Sequence, residues 1–338
     1  MSGNFIYGLN ISFQIIGQMG VVVLAGYLMV KYRWLSQTAL DNLTKILIDG
    51  IVPCVFIVSM VRGLNRQVLT EGAPIIIVVF LWMIIPFLVC KSAYSLIPNN
   101  NPREDDAAIA MTMIQNGIYL PLPVALAMVS STMADEAAIY VSMAVFPSLM
   151  IQWTLGINLL AGMEAPSWKK RLKFLINPPL LALLTGAILS LVPGMKEAAH
   201  SDPSASLLLK ILFSSMDFIG EALSPLAMIM LGAFIGSSSM KGRFKIRHLM
   251  PLIGFRLLLV PAMVVFAFRL NWLTMPALAS FVLVIESAAP PATNHAIVAR
   301  RYHGEWELVA SLQLVVHAVA LVTLPLWMSL AISMFPLN

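Results

Sequence analysis

A chain of 338 residues that is 59% hydrophobic and 11% charged, with a mean hydropathy of +0.87, lies outside the range of soluble globular domains. Its formal charge of +5 sits in short loops between apolar runs, a pattern that orients membrane proteins and argues against nucleic-acid binding. No polar stretch is long enough for a soluble domain, and Cys54 and Cys90 lie in apolar runs, so no disulfide framework is implied.

At about 20 apolar residues per crossing the chain divides into ten predicted spans, roughly 9–30, 38–61, 72–97, 103–130, 134–162, 177–193, 206–238, 246–268, 273–301 and 305–335. The first is expected to be retained, because MSGNFIYGLN has neither a basic n-region nor a small-residue cleavage site. The long seventh and tenth spans are expected to tilt or to carry extra turns. Helix starts are marked by Asn101-Pro102 followed by Glu104, Asp105 and Asp106, by Asn177-Pro178, and by a capping-box pattern at Thr132–Asp135.

Alternate connections carry Lys31 and Arg33; Lys91 and Arg103; Lys169, Lys170, Arg171 and Lys173; Lys241, Arg243, Lys245 and Arg247; Arg300 and Arg301. The opposite side carries only Arg62, Arg66, Lys196, Lys210 and Arg269. Basic residues accumulate on the cytoplasmic side, so both termini are expected outside the cytoplasm of a cell (inner or plasma) membrane.

Two spans cannot run as regular helices. Span nine holds Val284–Arg300, in which Glu286, Pro290, Pro291, Thr293 and Asn294 interrupt an apolar helix. Span four holds Gln115–Pro123, with Asn116, Gly117, Tyr119, Pro121 and Pro123. Proline lacks an amide donor and clashes with the preceding turn. Backbone freed at membrane depth is tolerated only where protein buries it or water reaches it, which makes each break a candidate site.

A shift of about 172 residues superposes Pro53 on Pro225, Pro86 near Pro261, Gln115-Asn116 on Glu286-Ser287 and Glu136 on Glu307. Five spans per half is an odd number, so the second copy enters the membrane from the other side. The expected fold is an all-α polytopic membrane protein, a five-plus-five inverted repeat of residues 1–162 and 163–338, with spans four and nine broken.

The chemistry expected of these residues follows. If both breaks lie at midplane, the second half-helices, from about Val124 and His295, direct two N-termini into one cavity, which suits an anionic solute. Asn116, Thr293 and Asn294 supply directional hydrogen bonds there, or else cap the broken ends. Glu286 is a candidate proton carrier, with Arg256 either its fixed ion-pair partner or a solute ligand. Lys45-x3-Asp49-x3-Pro53 aligns with Asp217-x3-Glu221-x3-Pro225; each proline frees the carbonyl of Asp49 or Glu221 as a cation or proton locus, while Lys45 and Asp49 alternatively pair with each other. His295 and His317 read as core histidines. No metalloprotease, serine-hydrolase, phosphate-loop or zinc-type spacing occurs, so neither an enzyme nor a metal or cofactor site is expected.

Asn116-Gly117-x-x-x-Pro121-x-Pro123 resembles the fourth-helix motif of the auxin efflux carrier family. Ala288–Asn294 followed by Ala299-Arg300-Arg301-Tyr302 resembles its ninth-helix motif, and Ser224-Pro225-Leu226 through Gly232 and Leu324-Pro325-Leu326-Trp327 fit helices seven and ten. Leu120 stands where a glycine is common in the family, which implies a narrower cavity. The resemblance runs along essentially the whole chain. It implies a scaffold of spans 1, 2, 6 and 7, a mobile transport domain of spans 3–5 and 8–10, broken helices crossing at the substrate site, and elevator-type alternating access. Gln115, Asn116, Gly117, Tyr119, Pro121, Pro123, Pro290, Pro291, Thr293 and Asn294 fall in the two crossing motifs. Implied substrates are auxin-type carboxylates or small dicarboxylates such as malate or malonate, and a homodimer through the scaffold is implied. Coupling to a proton, to sodium or to neither stays open. A sodium-coupled symporter of the bile-acid type, with Glu286 and Gln115 in a cation cage, and a solute sensor that moves nothing are the alternatives.

Overall fold

Polar caps and prolines punctuate a chain that is otherwise helical. The structure, a computed structural model, describes residues 2–96, 101–162, 176–237 and 245–337, together with Pro166, Ser167, Lys169 and Lys173. Lys170, Arg171, Lys241 and Arg243, counted above for orientation, lie outside the described residues, as do the ends of the predicted spans at Ile97 and Ser238.

The helices are α1 Ser2–Lys31, α2 Gln37–Gly63, α3 Arg66–Ser95, α4 Pro102–Met113, α5 Pro121–Met128, α6 Ser131–Leu160 and α7 Pro178–Leu189. The short α8 Met195–Ala199 leads to α9 Leu207–Ser237, α10 Ile246–Arg269, α11 Ala277–Ala288, α12 His295–Arg301 and α13 Trp306–Met334. Seven of them, α1, α2, α3, α6, α9, α10 and α13, are long and apolar enough to cross a membrane, while α7 and α11 are shorter apolar helices. Predicted spans four and nine are each split into two helices.

Capping explains several boundaries. Ser36 accepts from the Ala39 amide (3.2 Å), Asn65 from Val68 (2.9 Å), Asn101 from Arg103 (3.3 Å) and Asn177 from Leu180 (3.0 Å). The expected capping box at Thr132–Asp135 does not form; α6 opens with a 3-10 turn at Ser131–Met133, Met133 precedes the regular turns from Ala134 without a side-chain bond, and the Ser130 and Thr132 hydroxyls bond each other at 2.8 Å. The acids near the start of α4 meet bases on or beside neighbouring helices. Glu104 pairs with Lys245 (2.7 Å), Asp105 with Arg247 (3.0 Å) and His248 (2.7 Å), and Asp106 with Lys91 (2.8 Å).

Close helix crossings rest on glycine. α1 lies along α9 and α13. A Cβ at Gly232 of α9 would collide with the Val23 carbonyl of α1, and one at Gly26 with the Ile229 carbonyl. α7 lies on α2, where a Cβ at Gly186 would come within 2.7 Å of Met60 Cβ. Between apolar helices in lipid, close van der Waals approach replaces the hydrophobic drive of water, and small residues permit it.

Three helices widen into π turns: Leu47–Ile51 in α2, Gln152–Gly156 in α6 and Leu252–Leu259 in α10. In α2 the turn ends just before Pro53, with the Val52 amide reaching back to Leu47. In α10, Pro261 leaves the Leu257 carbonyl without its helical donor, and the Trp327 indole supplies one at 2.8 Å. Each wide turn contains a polar residue that bears on the breaks: Asp49, Gln152 and Arg256. π-bulges re-aim side chains in this way at many functional sites.

Candidate functional site

The two breaks meet. α4 ends at Met113 and α11 at Ala288, and the extended segments that follow pair antiparallel, with Gln115 opposite Pro291. The Asn116 amide donates to the Pro290 carbonyl at 2.8 Å, and the Ala292 amide donates to the Ile114 carbonyl at 3.2 Å. Each break thus supplies the donor that the other lacks, which is how irregular backbone survives where hydrocarbon would leave it bare. Gln313 of α13 adds a bond to the Ala292 carbonyl at 2.7 Å.

The α11 end is held by charge. Arg256, fully buried, donates to the carbonyls of Ala289 (2.9 Å), Glu286 (3.3 Å) and Ser287. A guanidinium at a helix C-terminus meets both the orphan carbonyls and the negative end of the dipole. The ion pair considered between Arg256 and Glu286 is not formed; the guanidinium binds backbone instead, and its charge lies 5.8 Å from the Trp82 ring centre. Trp82 in turn donates to Gln115 (3.3 Å), and Gln115 to Ser148 (2.7 Å), so one buried polar chain runs from α10 to α6. Among the described residues the Glu286 carboxylate has no hydrogen-bond partner, although Gln115 and Arg256 lie within its electrostatic reach. It rests against Gly117, where a Cβ would be 3.5 Å from Oε2.

On one side of the crossing lies a cavity of about 240 Å³. Gln115, Asn116, Gly117 and Tyr119 line it from the first break, and Thr293 and Asn294 from the second. α2 contributes Thr44, Lys45, Ile48 and Asp49; α6 contributes Val145, Ser148, Leu149, Gln152 and Trp153; Asn177 and Pro179 stand at the start of α7. Asn294 accepts a hydrogen bond from Gln152 at 2.9 Å, and Asn116 accepts one from the Tyr119 amide at 3.0 Å. Among the described residues, the Asn116 Nδ2 donor and the Thr293 hydroxyl have no partner.

Several expected residues lie elsewhere. Pro121 and Pro123 are buried in α5 and do not line the cavity. Pro291 is spent in the backbone pairing, while Pro290 and Leu120 line a separate small apolar pocket against α1, so Leu120 does not narrow the main cavity. Glu286 and Arg256 are fully buried behind the crossing, and Glu221 is exposed at a turn of α9, away from the cavity. Asp217 pairs with Arg62 of α2 rather than with any group at the breaks.

The half-helix N-termini also depart from expectation. Pro121 and Pro123 strip two of the first amides from α5, the Tyr119 amide is held by Asn116, and Leu122 is fully buried. The first amides of α12, at Ala296 and Ile297, belong to residues lining a different pocket. Side chains therefore supply most of the cavity's polarity. Sequence reasoning missed Ser148 and Gln152; their signal was a polar pair one turn apart in an apolar span.

Comparison with known proteins agrees with this architecture. The family described as membrane transport protein matches residues 13–171 and 167–328. A relative from Methanocaldococcus jannaschii, described as an uncharacterized transporter, is 24% identical over 312 residues, covering 91% of this chain and 94% of the relative. With apolar helices long enough to cross a membrane several times and a family match along nearly its whole length, the chain belongs to the membrane transport protein family, that of the auxin efflux carriers, and is a multi-pass transporter rather than an enzyme.

Proposed function

We propose that the protein is a secondary transporter of a small organic anion, which binds where the two broken helices cross. The observation that carries this reading is one cavity walled by both breaks, with the Asn116 amide donor and the Thr293 hydroxyl unspent and the Lys45 ammonium in the same wall. Buried polar groups are normally bonded, so unspent donors at a cavity wall point to a ligand that completes them. In this reading the chain crosses the membrane ten times as an inverted repeat with both termini outside. α7, α4–α5 and α11–α12 then count as crossings beside the seven long helices. The cavity lies between the breaks and the ends of α2, α6 and α7 that adjoin the basic connections, so this state faces the cytoplasm. Movement of α3–α6 and α10–α13 against α1, α2, α7 and α9 carries the site across.

Proton coupling through Glu286 is favoured over sodium coupling. A sodium cage needs free carbonyls, and those of Glu286, Ser287 and Ala289 are occupied by a guanidinium that also repels a cation. In proteoliposomes, Asn116→Ala and Asn294→Ala insert normally and abolish organic-anion counterflow; unchanged flux in both variants refutes the site. Uptake that depends on sodium and ignores the proton gradient refutes the coupling.

A further inference from the structure

A second cavity, of about 100 Å³, touches the second break at Thr293, which also lines the cavity between the breaks. Its exposed polar residues are Gln37 at the start of α2, Ser237 at the end of α9 and Arg300 near the end of α12. On the orientation proposed for the chain these ends adjoin the basic connections, so the cavity opens to the cytoplasm. The buried polar residues in its wall are Thr293, Gln313 and His317.

His317 Nδ1 lies 2.8 Å from the Gln313 carbonyl. A carbonyl only accepts, so Nδ1 carries the proton and Nε2 of the neutral ring is a bare acceptor. Among the described residues this Nε2 has no partner. A core histidine normally has both nitrogens met. The ring is also tied to the break, because the Gln313 side chain donates to the Ala292 carbonyl and Ala292 lines the cavity between the breaks. Few titratable groups surround it. α12 brings His295, within electrostatic reach, and Arg300. α1 and α9 present no titratable group in the two cavities that the ring lines, and α2 presents Gln37, which donates to Asp41 at 3.2 Å. Glu286 of α11 and Arg256 of α10 lie within each other's reach, and Asp105 of α4 pairs with Arg247 and His248.

We infer that His317 is a proton-binding site of the transport cycle, filled and emptied from the cytoplasm through this second cavity. This rests on the reading of the protein as a proton-coupled transporter and deepens it. The cavity has room for several waters, each of which needs roughly 10–15 Å³. Nε2 takes a proton from hydronium and leaves water, while the Nδ1 proton stays on the Gln313 carbonyl. An ionisable group at membrane depth ordinarily serves such a path. Glu286 lines neither this cavity nor the one between the breaks. The state described is the one that has released its proton: no acid pairs with the ring, and Arg300 stands on the way out. A charged ring draws more strongly on the Gln313 carbonyl, and Gln313 holds Ala292 beside the solute, so proton and solute act on one segment.

The test reconstitutes the full-length protein in liposomes with malonate and benzenesulfonate, anions too charged to leak as neutral acids. Counterflow at equal pH reads solute exchange alone. Initial uptake driven by a pH gradient, with potassium and valinomycin clamping the voltage, reads coupling. In His317→Gln, which keeps a donor for the carbonyl but holds no charge, the ratio of driven uptake to counterflow falls by about fivefold or more and the pH profile flattens. Ala296→Leu fills the cavity without altering a titratable group and lowers the same ratio. An unchanged ratio and pH profile in His317→Gln overturns the inference. Loss of coupling in His317→Gln with Ala296→Leu unaffected keeps the site and removes the route. Should His317→Gln not fold, an unchanged ratio in Ala296→Leu overturns the inference. Wild-type counterflow that ignores a pH gradient overturns proton coupling, and the absence of counterflow for both anions overturns the solute reading beneath it.

Discussion

The amide of Asn116 donates to the carbonyl of Pro290 across 2.8 Å, so a residue of the first break is bonded directly to one of the second. With the return bond from Ala292 to Ile114, this pairing makes the two breaks one structural unit. Neither break is stable alone at membrane depth, because each leaves backbone groups that only the other reaches.

Gly117 sits in that unit with little room. A Cβ there would lie 3.0 Å from Val145 Cγ2 and 3.5 Å from Glu286 Oε2. Gly117→Val is expected to cost about 1–3 kcal/mol of unfolding free energy by overpacking, and to stop transport. Wild-type stability in a detergent denaturation series would show that the crossing is looser than described.

Arg256 holds three carbonyls at the end of α11 and is the nearby positive charge for Glu286. Arg256→Leu leaves those acceptors bare and is expected to destabilise by roughly 1–3 kcal/mol, the cost of leaving buried acceptors without their donor. Adding Glu286→Leu should recover part of the loss, because the remaining buried acid is removed as well. No recovery in the double variant would mean that the carbonyl bonds carry the entire effect. The comparison is a double-mutant cycle on unfolding in detergent.

Gln152 donates to Asn294 at 2.9 Å and lines the cavity between the two breaks from α6. Gln152→Leu should retain the fold within about 1 kcal/mol, the worth of one ordinary hydrogen bond, yet weaken anion binding several-fold, since Asn294 loses its orientation. Titration of phenylacetate against the variant measures it, and unchanged affinity would show that Asn294 is positioned without Gln152.

The α1–α9 crossing gives a contrast within one pair of helices. At Gly232 a Cβ collides with the Val23 carbonyl, whereas at Gly17 nothing lies within 4 Å. Gly232→Leu should abolish recovery of monodisperse protein, and Gly17→Leu should leave recovery and melting temperature unchanged. Size-exclusion chromatography after extraction distinguishes the two outcomes.

Much of this was readable from particular residues. Asn65, Asn101 and Asn177 are caps whose chemistry is local; the first was not anticipated, so predicted span three began at residue 72 while α3 begins at Arg66. Pro290-Pro291 and Pro121-x-Pro123 forced breaks wherever they stood, because a missing donor needs no tertiary context. The alignment of Gln115 with Glu286 did not carry over to equivalent places. Gln115 lies just beyond α4, and Glu286 lies in the last turn of α11. Likewise the proline-rich start that promised an anion-binding helix terminus removes two of the amides such a terminus uses, at Pro121 and Pro123.

By itself, then, the sequence determined the membrane class and the two places where helix fails, since hydropathy and prolines act over a few residues. The tertiary structure alone decided what each of these side chains met: Arg256 on carbonyls rather than on Glu286, Leu120 against α1 rather than in the cavity, Asp217 on Arg62, and Lys45 and Asp49 in the cavity wall with the breaks. Those outcomes depend on which helix lies beside which, and on wide turns that rotate Asp49, Gln152 and Arg256 relative to a regular helix. Partner choice is a property of the assembled bundle, where a polar group takes whichever unmet donor or acceptor the neighbouring helix brings within 3 Å or so.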